Sequence, residues 1–222
     1  MTKSMMENEL RPLIKPLPRI LVTGFHKFPP YEVNCTEELV KLISKNTTEF
    51  RDNIEIATEI LKVSWAESFP AMADAIHKTQ PNAIISFGIG TAEIELEKRA
   101  IKVFSGIDVD GKCPPTLKNI NGVNEYWTTF PDSVLKKMKE QIEHISSNLT
   151  CKIDNNCGCY LCNYLFYRTL HLVQKNNRDI PVLFIHLPQE NNLKTCDQNI
   201  STLQKVAKEI ILTIANHVRK NA

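Results

Sequence analysis

Three residues of types that can cleave an amide bond stand far apart in the sequence: Cys162, His186 and Glu97. Cys162 follows Tyr160 and Leu161, which we interpret as a short strand turning into an apolar helix, and a helix N-terminus favours the thiolate form of a cysteine. His186 closes the apolar stretch PVLFIHLP, where an imidazole could deprotonate the thiol and later protonate a leaving amine. Glu97, in ELEKRA, could orient that imidazole as the third member of a triad.

Each of these residues also has an ordinary structural interpretation. A lone cysteine is most often a small buried apolar side chain. A histidine at a strand end can be a hydrogen-bonded core residue, and a glutamate within a charged run is usually solvated. A catalytic interpretation therefore depends on elements that bring the three residues together.

Apolar strands alternate with helices along the chain. Strands are predicted in RILVTGF, IEIATEILKV, NAIISFGIG and PVLFIHLP, and helices over 36–45, 64–78, 132–146 and about 200–220, with one more after Cys162. Thr36 is the predicted N-cap of the first helix, and 104–129 is expected to be irregular because of its glycines and prolines. The alternation predicts α/β architecture: a single three-layer α/β/α domain (19–222) with a twisted, mostly parallel central sheet, preceded by a tail (1–18).

Chemically distinctive residues follow three of the predicted strands. TGFHKF ends the first, GIGTAEIELE follows the third along the chain, and His186 ends the last. Ligands bind beyond the carboxyl ends of strands in sheets of this kind. The sequence therefore predicts a site where these strand ends converge.

The composition excludes several classes of function. A net charge of +2, with Lys and Arg spread along the chain, gives no reason to expect a nucleic-acid partner. No apolar stretch approaches the ~20 residues of a membrane span, and the first residues lack the apolar segment of a secretory signal. Seven cysteines, an odd number, suit a reducing compartment, so we expect a cytoplasmic protein.

Four motifs follow one another along the chain: RILVTGFHKFPPYEVN, FGIGTAEIELEKRAI, GCYLCNY and FIHLP. From about Arg19 through His186 the chain resembles the pyroglutamyl peptidase I, or pyrrolidone carboxyl peptidase, family of cysteine peptidases. The resemblance implies an exopeptidase that hydrolyses the N-terminal pyroglutamyl residue of peptides through a thioacyl-enzyme, without a cofactor or a metal. It also implies that Cys162 is the nucleophile, His186 the general base and Glu97 the carboxylate that orients the base.

The same resemblance implies a pocket for the pyroglutamyl ring. Phe25 and Phe28 match the aromatic pair that sandwiches the lactam, and Asn34 matches a polar residue beside it. Tyr160 and Leu161 match the opposite wall. Taken without the resemblance, these side chains would be expected to pack in the core.

The chain departs from the family pattern at several places, among them a loop and a missing arginine that bear on the site. The loop after the third strand is about two residues shorter, with Ile89 where the family has a glutamine that contacts the ligand partly through its backbone. No arginine stands near Ile107, where bacterial members carry one for the oxyanion. A catalytically weakened binding protein on the same fold is therefore the alternative function. Family members include monomers and tetramers, so the sequence leaves a homo-oligomer open.

A metal centre is the rival interpretation of the cysteines. Cys151, Cys157, Cys159 and Cys162 lie close together in the sequence. Structural zinc sites usually pair cysteines in Cys-x2–4-Cys turns, whereas a strand running into a helix would point these side chains to different faces. No metal site is predicted.

Overall fold

The computed structural model describes residues 16–50, 53–90, 92–116, 122–176, 178–188 and 196–221. Most of the predicted tail, residues 1–15, lies outside these ranges. Eight strands form within them: β1 (Arg19–Phe25), β2 (Glu55–Leu61), β3 (Ala83–Ile89), β4 (Ile94–Glu97), β5 (Arg99–Ile101), β6 (Glu125–Trp127), β7 (Cys151–Asp154) and β8 (Val182–Leu187).

Five α-helices lie within the described ranges and pack on the sheet. They are α1 (Cys35–Lys45), α2 (Ser68–Thr79), α3 (Asp132–Ile145), α4 (Leu161–Lys175) and α5 (Cys196–Asn221). In α1, Glu37 and Glu38 lie in the first turn and Lys45 in the last, which complements the helix dipole. None of these helices has the length and hydropathy that crossing a bilayer requires.

Six strands form one mixed sheet in the order β2-β1-β3-β8-β4-β7. Every pairing is parallel except that of β4 with β8. The strands β2, β1, β3 and β8 therefore run one way, and β4 and β7 run the other way. This arrangement confirms the predicted mostly parallel sheet and puts the start of β4 beside the carboxyl end of β8.

Apolar side chains cover both faces of the sheet. One cluster joins the sheet to α1, α3 and α5, with Leu39, Leu135 and Ile210 among its buried members. The other joins the opposite face to α2 and α4, with Met72 and Leu165 among its members. Helices on both faces confirm the three-layer α/β/α prediction.

The structure corrects several predicted boundaries. Tyr160 and Leu161 do not form a strand: Tyr160 is the N-cap of α4, and the strand before it is β7, at Cys151–Asp154. The N-cap of α1 is Asn34, not Thr36, because the Asn34 side chain accepts a hydrogen bond from the Thr36 N–H. Local propensity alone does not distinguish these neighbouring starts.

Two segments for which no strand was predicted contain strands. Within GIGTAEIELE, β4 forms between β8 and β7, pairs with both, and has all four of its residues buried. Within 104–129, β6 pairs with β5 as a two-stranded ribbon. In both cases pairing with a distant strand decides the structure, and a short window of sequence does not contain that partner.

Candidate active site

Cys162 is the second residue of α4, where the chain arrives from the edge strand β7. The Asp154 carboxylate accepts hydrogen bonds from the N–H groups of Asn155 and Asn156 and turns the chain out of β7. Gly158 then has φ +75°, a conformation that favours glycine. The turn puts the partly exposed thiol in the first turn of α4, near helix N–H groups that have no intrahelical acceptor.

The thiol fits against β3 because residue 88 is glycine. A Cβ at position 88 would lie 2.9 Å from Cys162 Sγ and 2.8 Å from the Phe184 ring. A Cβ at Gly90 would lie 2.7 Å from the Cβ of His186. The end of β3 therefore has no room for side chains at these two positions, and that lets α4 and β8 approach it closely.

His186 connects the thiol to a buried carboxylate. It lies in β8, and its Nδ1 is 2.7 Å from Glu97 Oε1. Burial lowers the pKa of His186, but the neighbouring Cys162 and Glu97 outweigh burial and raise it to about 10. The surroundings thus favour the imidazolium, the form that accompanies a cysteine thiolate.

Glu97 has no exposed surface and is held in the sheet interior. Burial raises its pKa, while the hydrogen bond to His186 opposes that shift. Its Oε2 accepts no hydrogen bond from the residues that the structure describes. Because an isolated buried carboxylate is costly, the adjacent imidazolium is the main compensation for its charge.

Further charged groups surround this set, and the sequence reasoning did not single them out. Glu95 Oε2 lies 3.5 Å from His186 Nδ1, and Glu95 Oε1 lies 2.9 Å from Lys152 Nζ. Lys152 also pairs with Asp154 at 2.8 Å. The available signal was the spacing Glu95-x-Glu97, because residues two apart on a strand share a face.

Cys157 is buried beside the triad. Its sulfur, a His186 ring nitrogen and a Glu97 oxygen lie within 4.8 Å of one another. Burial, followed by the nearby Glu97, raises the pKa of the Cys157 thiol well above its usual value, so the neutral thiol is favoured. Cys159 instead faces solvent, with its sulfur 2.9 Å from Ser105 Oγ.

Four of the predicted pocket residues pack with the same apolar cluster as Cys162. Phe25 and Leu161 belong to the cluster, and Phe28 and Tyr160 pack against it. The Tyr160 ring contacts Trp65 edge-on at 5.4 Å between centroids, and its hydroxyl donates to the Ile107 carbonyl. An apolar wall of this kind can hold a flat, weakly polar ring.

The other two predicted pocket residues are placed differently. Asn34 caps α1: its Oδ1 accepts from the N–H and hydroxyl of Thr36, and its Nδ2 donates to the His26 carbonyl. Both polar ends thus hold the loop after β1. The Ile89 side chain packs against the cluster on the opposite face of the sheet.

Two polar residues that the sequence reasoning missed fix the surroundings of the site. Asn163 is buried, accepts from the Ile101 N–H and donates to the carbonyls of Ile101 and Val103, which ties α4 to β5. The Asp108 carboxylate accepts from three backbone N–H groups, including that of Trp65. Asp108 therefore holds the loop whose Ile107 carbonyl receives the Tyr160 hydroxyl.

Comparisons with known proteins give a consistent assignment. The family model described as pyroglutamyl peptidase matches residues 18–218. The pyrrolidone-carboxylate peptidase of Oceanobacillus iheyensis is 35% identical over 191 residues, covering 84% of this chain and 92% of the relative. The protein of the same name from Brachyspira hyodysenteriae is 31% identical, covering 77% and 83%.

Solved structures show the same fold. Pyroglutamyl peptidase I from Bacillus amyloliquefaciens superposes with a TM-score of 0.77 at 24% identity, covering 91% of this chain and 97% of that one. Pyrrolidone carboxyl peptidase from Thermococcus litoralis gives 0.74 at 19% identity, covering 93% and 97%. With the family model matched over nearly the whole described chain, this protein belongs to the pyroglutamyl peptidase family of cysteine-type hydrolases.

Proposed function

We propose that the protein is an omega peptidase that hydrolyses the N-terminal pyroglutamyl residue from peptides, with Cys162, His186 and Glu97 as its catalytic residues. The observation that carries the proposal is the 2.7 Å hydrogen bond between Glu97 and His186, with Cys162 close enough to the same imidazole to raise its pKa. A thiol beside a base that a carboxylate orients is the arrangement that nucleophilic amide hydrolysis requires.

Acylation begins at the Cys162 sulfur. The thiolate attacks the pyroglutamyl carbonyl carbon and forms a C–S bond, and the carbonyl electrons move to the oxygen. The tetrahedral species then breaks its C–N bond, and the His186 imidazolium protonates the departing amine. The products are a thioester on Cys162 and the shortened peptide.

Deacylation uses the same base. Neutral His186 takes a proton from water, whose oxygen attacks the thioester carbon. Breaking the C–S bond releases pyroglutamate and restores the thiolate–imidazolium pair. Throughout, Glu97 holds Nδ1 and stabilises the positive charge of the ring.

The start of α4 supplies groups for the developing oxyanion. The N–H groups of its first turn have no acceptor within the helix, and the dipole makes this end positive. Preorganised backbone donors of this kind stabilise the negative oxygen of the tetrahedral species. This arrangement takes the place of the arginine that bacterial members have near the position of Ile107.

Ring recognition relies on the apolar wall of Phe25, Phe28, Tyr160 and Leu161. A pyroglutamyl ring carries no charge, whereas an ordinary N-terminus carries an ammonium group whose desolvation without a partner is costly. The pocket therefore selects the cyclised residue without a repulsive group.

Asn34 and Ile89 serve the pocket indirectly in this proposal. Asn34 fixes the loop that carries Phe28, because it caps α1 and holds the His26 carbonyl. Ile89 contacts the ring through its backbone, since its side chain packs on the other face of the sheet. The peptidase also requires reduced Cys162, which a cytoplasmic location would maintain.

The test is cleavage of a fluorogenic pyroglutamyl aminocoumarin by the wild type and by Cys162→Ser. We expect cleavage by the wild type and a loss of at least about 10³-fold in the variant, because serine is a far weaker nucleophile in a site built for a thiolate. Cys159→Ser is the matched control, since this exposed thiol lies three residues away, and it should keep its activity. Glutaminyl aminocoumarin, with an uncyclised N-terminal residue, should not be cleaved.

If well-folded wild type does not cleave the substrate, the peptidase proposal is wrong. The binding-protein alternative then predicts that pyroglutamyl amide binds without turnover. Isothermal titration of the wild type with that amide would measure it.

A further inference from the structure

Two carboxylates, not one, face the Nδ1 side of His186. Glu97 Oε1 lies at 2.7 Å and Glu95 Oε2 at 3.5 Å from Nδ1. Both arise from β4, where Glu95 is the register partner of His186 across the antiparallel pairing with β8. The second carboxylate is therefore held against the base by the sheet itself.

Glu95 also belongs to an ion-pair network, whose Lys152 side chain is partly exposed to solvent. Lys152 lies 2.9 Å from Glu95 and 2.8 Å from Asp154, and oxygens of Glu95, Glu97 and Asp154 lie within 4.8 Å of one another. Lys152 is 43% exposed, while the Glu95 side chain is only 10% exposed. Three grouped carboxylates need nearby positive charge, which Lys152 and protonated His186 provide.

Each element that packs around the imidazole contributes a group of defined charge. From α4 comes Cys162, from β4 come Glu95 and Glu97, and Cys157 lies in the turn before α4. From β7 come Asp154 and Lys152. Glu95 and Lys152 thus act on the triad with opposite signs while pairing with each other.

We infer that Glu95 is a positioning residue for His186, and that the Glu95–Lys152 ion pair sets the pH range over which the thiolate–imidazolium pair exists. The negative carboxylate keeps the ring protonated and makes a thiolate harder to form. The ammonium of Lys152 opposes both effects. The inference refines the proposed catalytic site, but its first test does not depend on peptidase activity.

That test measures the rate of Cys162 alkylation by iodoacetamide from pH 4 to 10, with peptide mapping to assign the label to Cys162. In E95Q the midpoint of the rise should move to lower pH by about 0.5 to 1 unit, because a negative charge beside the site is gone. In K152M it should move to higher pH by about 0.3 units, since Lys152 is more exposed and more screened. The double variant should lie between the two.

The opposite signs distinguish this role from a structural one. Both substitutions break the same ion pair, so if the pair merely holds β4 to β7, the two variants would lose thermal stability alike and leave the midpoint unchanged. Unchanged midpoints, or shifts in one direction, would overturn the inference. Lys41→Met is the matched control, because Lys41 also pairs with two carboxylates, at 2.9 Å each, and lies on α1. It should leave the alkylation midpoint at the wild-type value.

A second arm follows pyroglutamyl aminocoumarin cleavage over the same pH range. Both limbs of the kcat/KM profile should move to lower pH in E95Q and to higher pH in K152M. Opposite alkylation shifts without any cleavage would sustain the role of Glu95 and reject the peptidase proposal. Cleavage with unshifted profiles would sustain the peptidase and reject the role of Glu95.

Discussion

The two halves of the central sheet are built on different principles. In β2, β1 and β3, the apolar half, the buried residues are mostly apolar, and the buried hydroxyls of Thr23 and Ser86 form a neutral pair at 2.9 Å. In β8, β4 and β7, the charged half, the interior holds His186 and two glutamates. The apolar half gains stability from burial, whereas the charged half holds buried charges whose desolvation opposes that gain.

Replacing Glu97 with glutamine should have the largest effect. The size is kept, but the amide removes the negative charge that supports the imidazolium, so kcat/KM should fall by about 10² to 10⁴-fold while the protein stays folded. Kinetics with pyroglutamyl aminocoumarin measure kcat/KM, and circular dichroism measures whether the variant is folded. Glu59→Gln, at an exposed position of β2, should be neutral. A variant at 97 within tenfold of wild type would show that the charged half is not the catalytic machinery.

Truncation in the apolar half should have the next largest effect, on stability. Leu21, in β1, has no exposed surface, so Leu21→Ala should reduce the free energy of unfolding by about 2 to 5 kcal/mol. Urea denaturation measures the loss. The folded fraction should keep wild-type kcat/KM, and a parallel loss of activity per folded molecule would mean that the two halves are not separable.

Raising the pH should reduce the contribution of His186 to the free energy of unfolding, an effect smaller than that of Leu21→Ala. The folded pKa of His186 is about 10, above the ordinary 6.5. Its stabilising contribution is therefore complete below about pH 6.5 and is lost as pH rises through about 10. The stability difference between wild type and His186→Gln should shrink over this window in urea titrations, while that between wild type and Leu21→Ala should stay constant. A constant difference for His186→Gln would contradict the imidazolium assignment.

The smallest effect is expected at the neutral pair of the apolar half. Thr23→Val keeps the shape but leaves the Ser86 hydroxyl without its buried partner, at a cost of about 1 kcal/mol. The double variant with Ser86→Ala should recover most of that loss in thermal unfolding. Failure to recover it would mean that this pair also matters through other contacts.

The apolar half could be predicted from the sequence because its signals are local. RILVTGF and NAIISFGIG are apolar runs with glycine near their ends, and both form strands, β1 and β3, close to the predicted bounds. The helices over 132–146 and after Cys162 were likewise predicted from periodicity. These elements are decided mainly by residues within their own segments.

The charged half could not be predicted in the same way, because its strands depend on partners far along the chain. The segment IELE looks solvated until β8 and β7 lie on either side of it. Cys162, His186 and Glu97 were predicted from their motifs, whereas Glu95 and Lys152 were not, since only strand register puts Glu95 opposite His186 and Lys152. Asn34 stays a predicted pocket residue, and its hydrogen bonds to the cap of α1 and to the His26 carbonyl could not be predicted from its motif.

The position of β4 between β8 and β7 affects the order in which parts of the chain can fold. During synthesis, β4 emerges long before β8, so its two glutamates remain hydrated while most of the chain is made. Cys162 also emerges before His186. In the proposed mechanism, Cys162 therefore lacks its base until residues 182–187 join the sheet, a late and non-local step. During refolding, peptidase activity should therefore appear only when the sheet is complete, and not when its first strands pair.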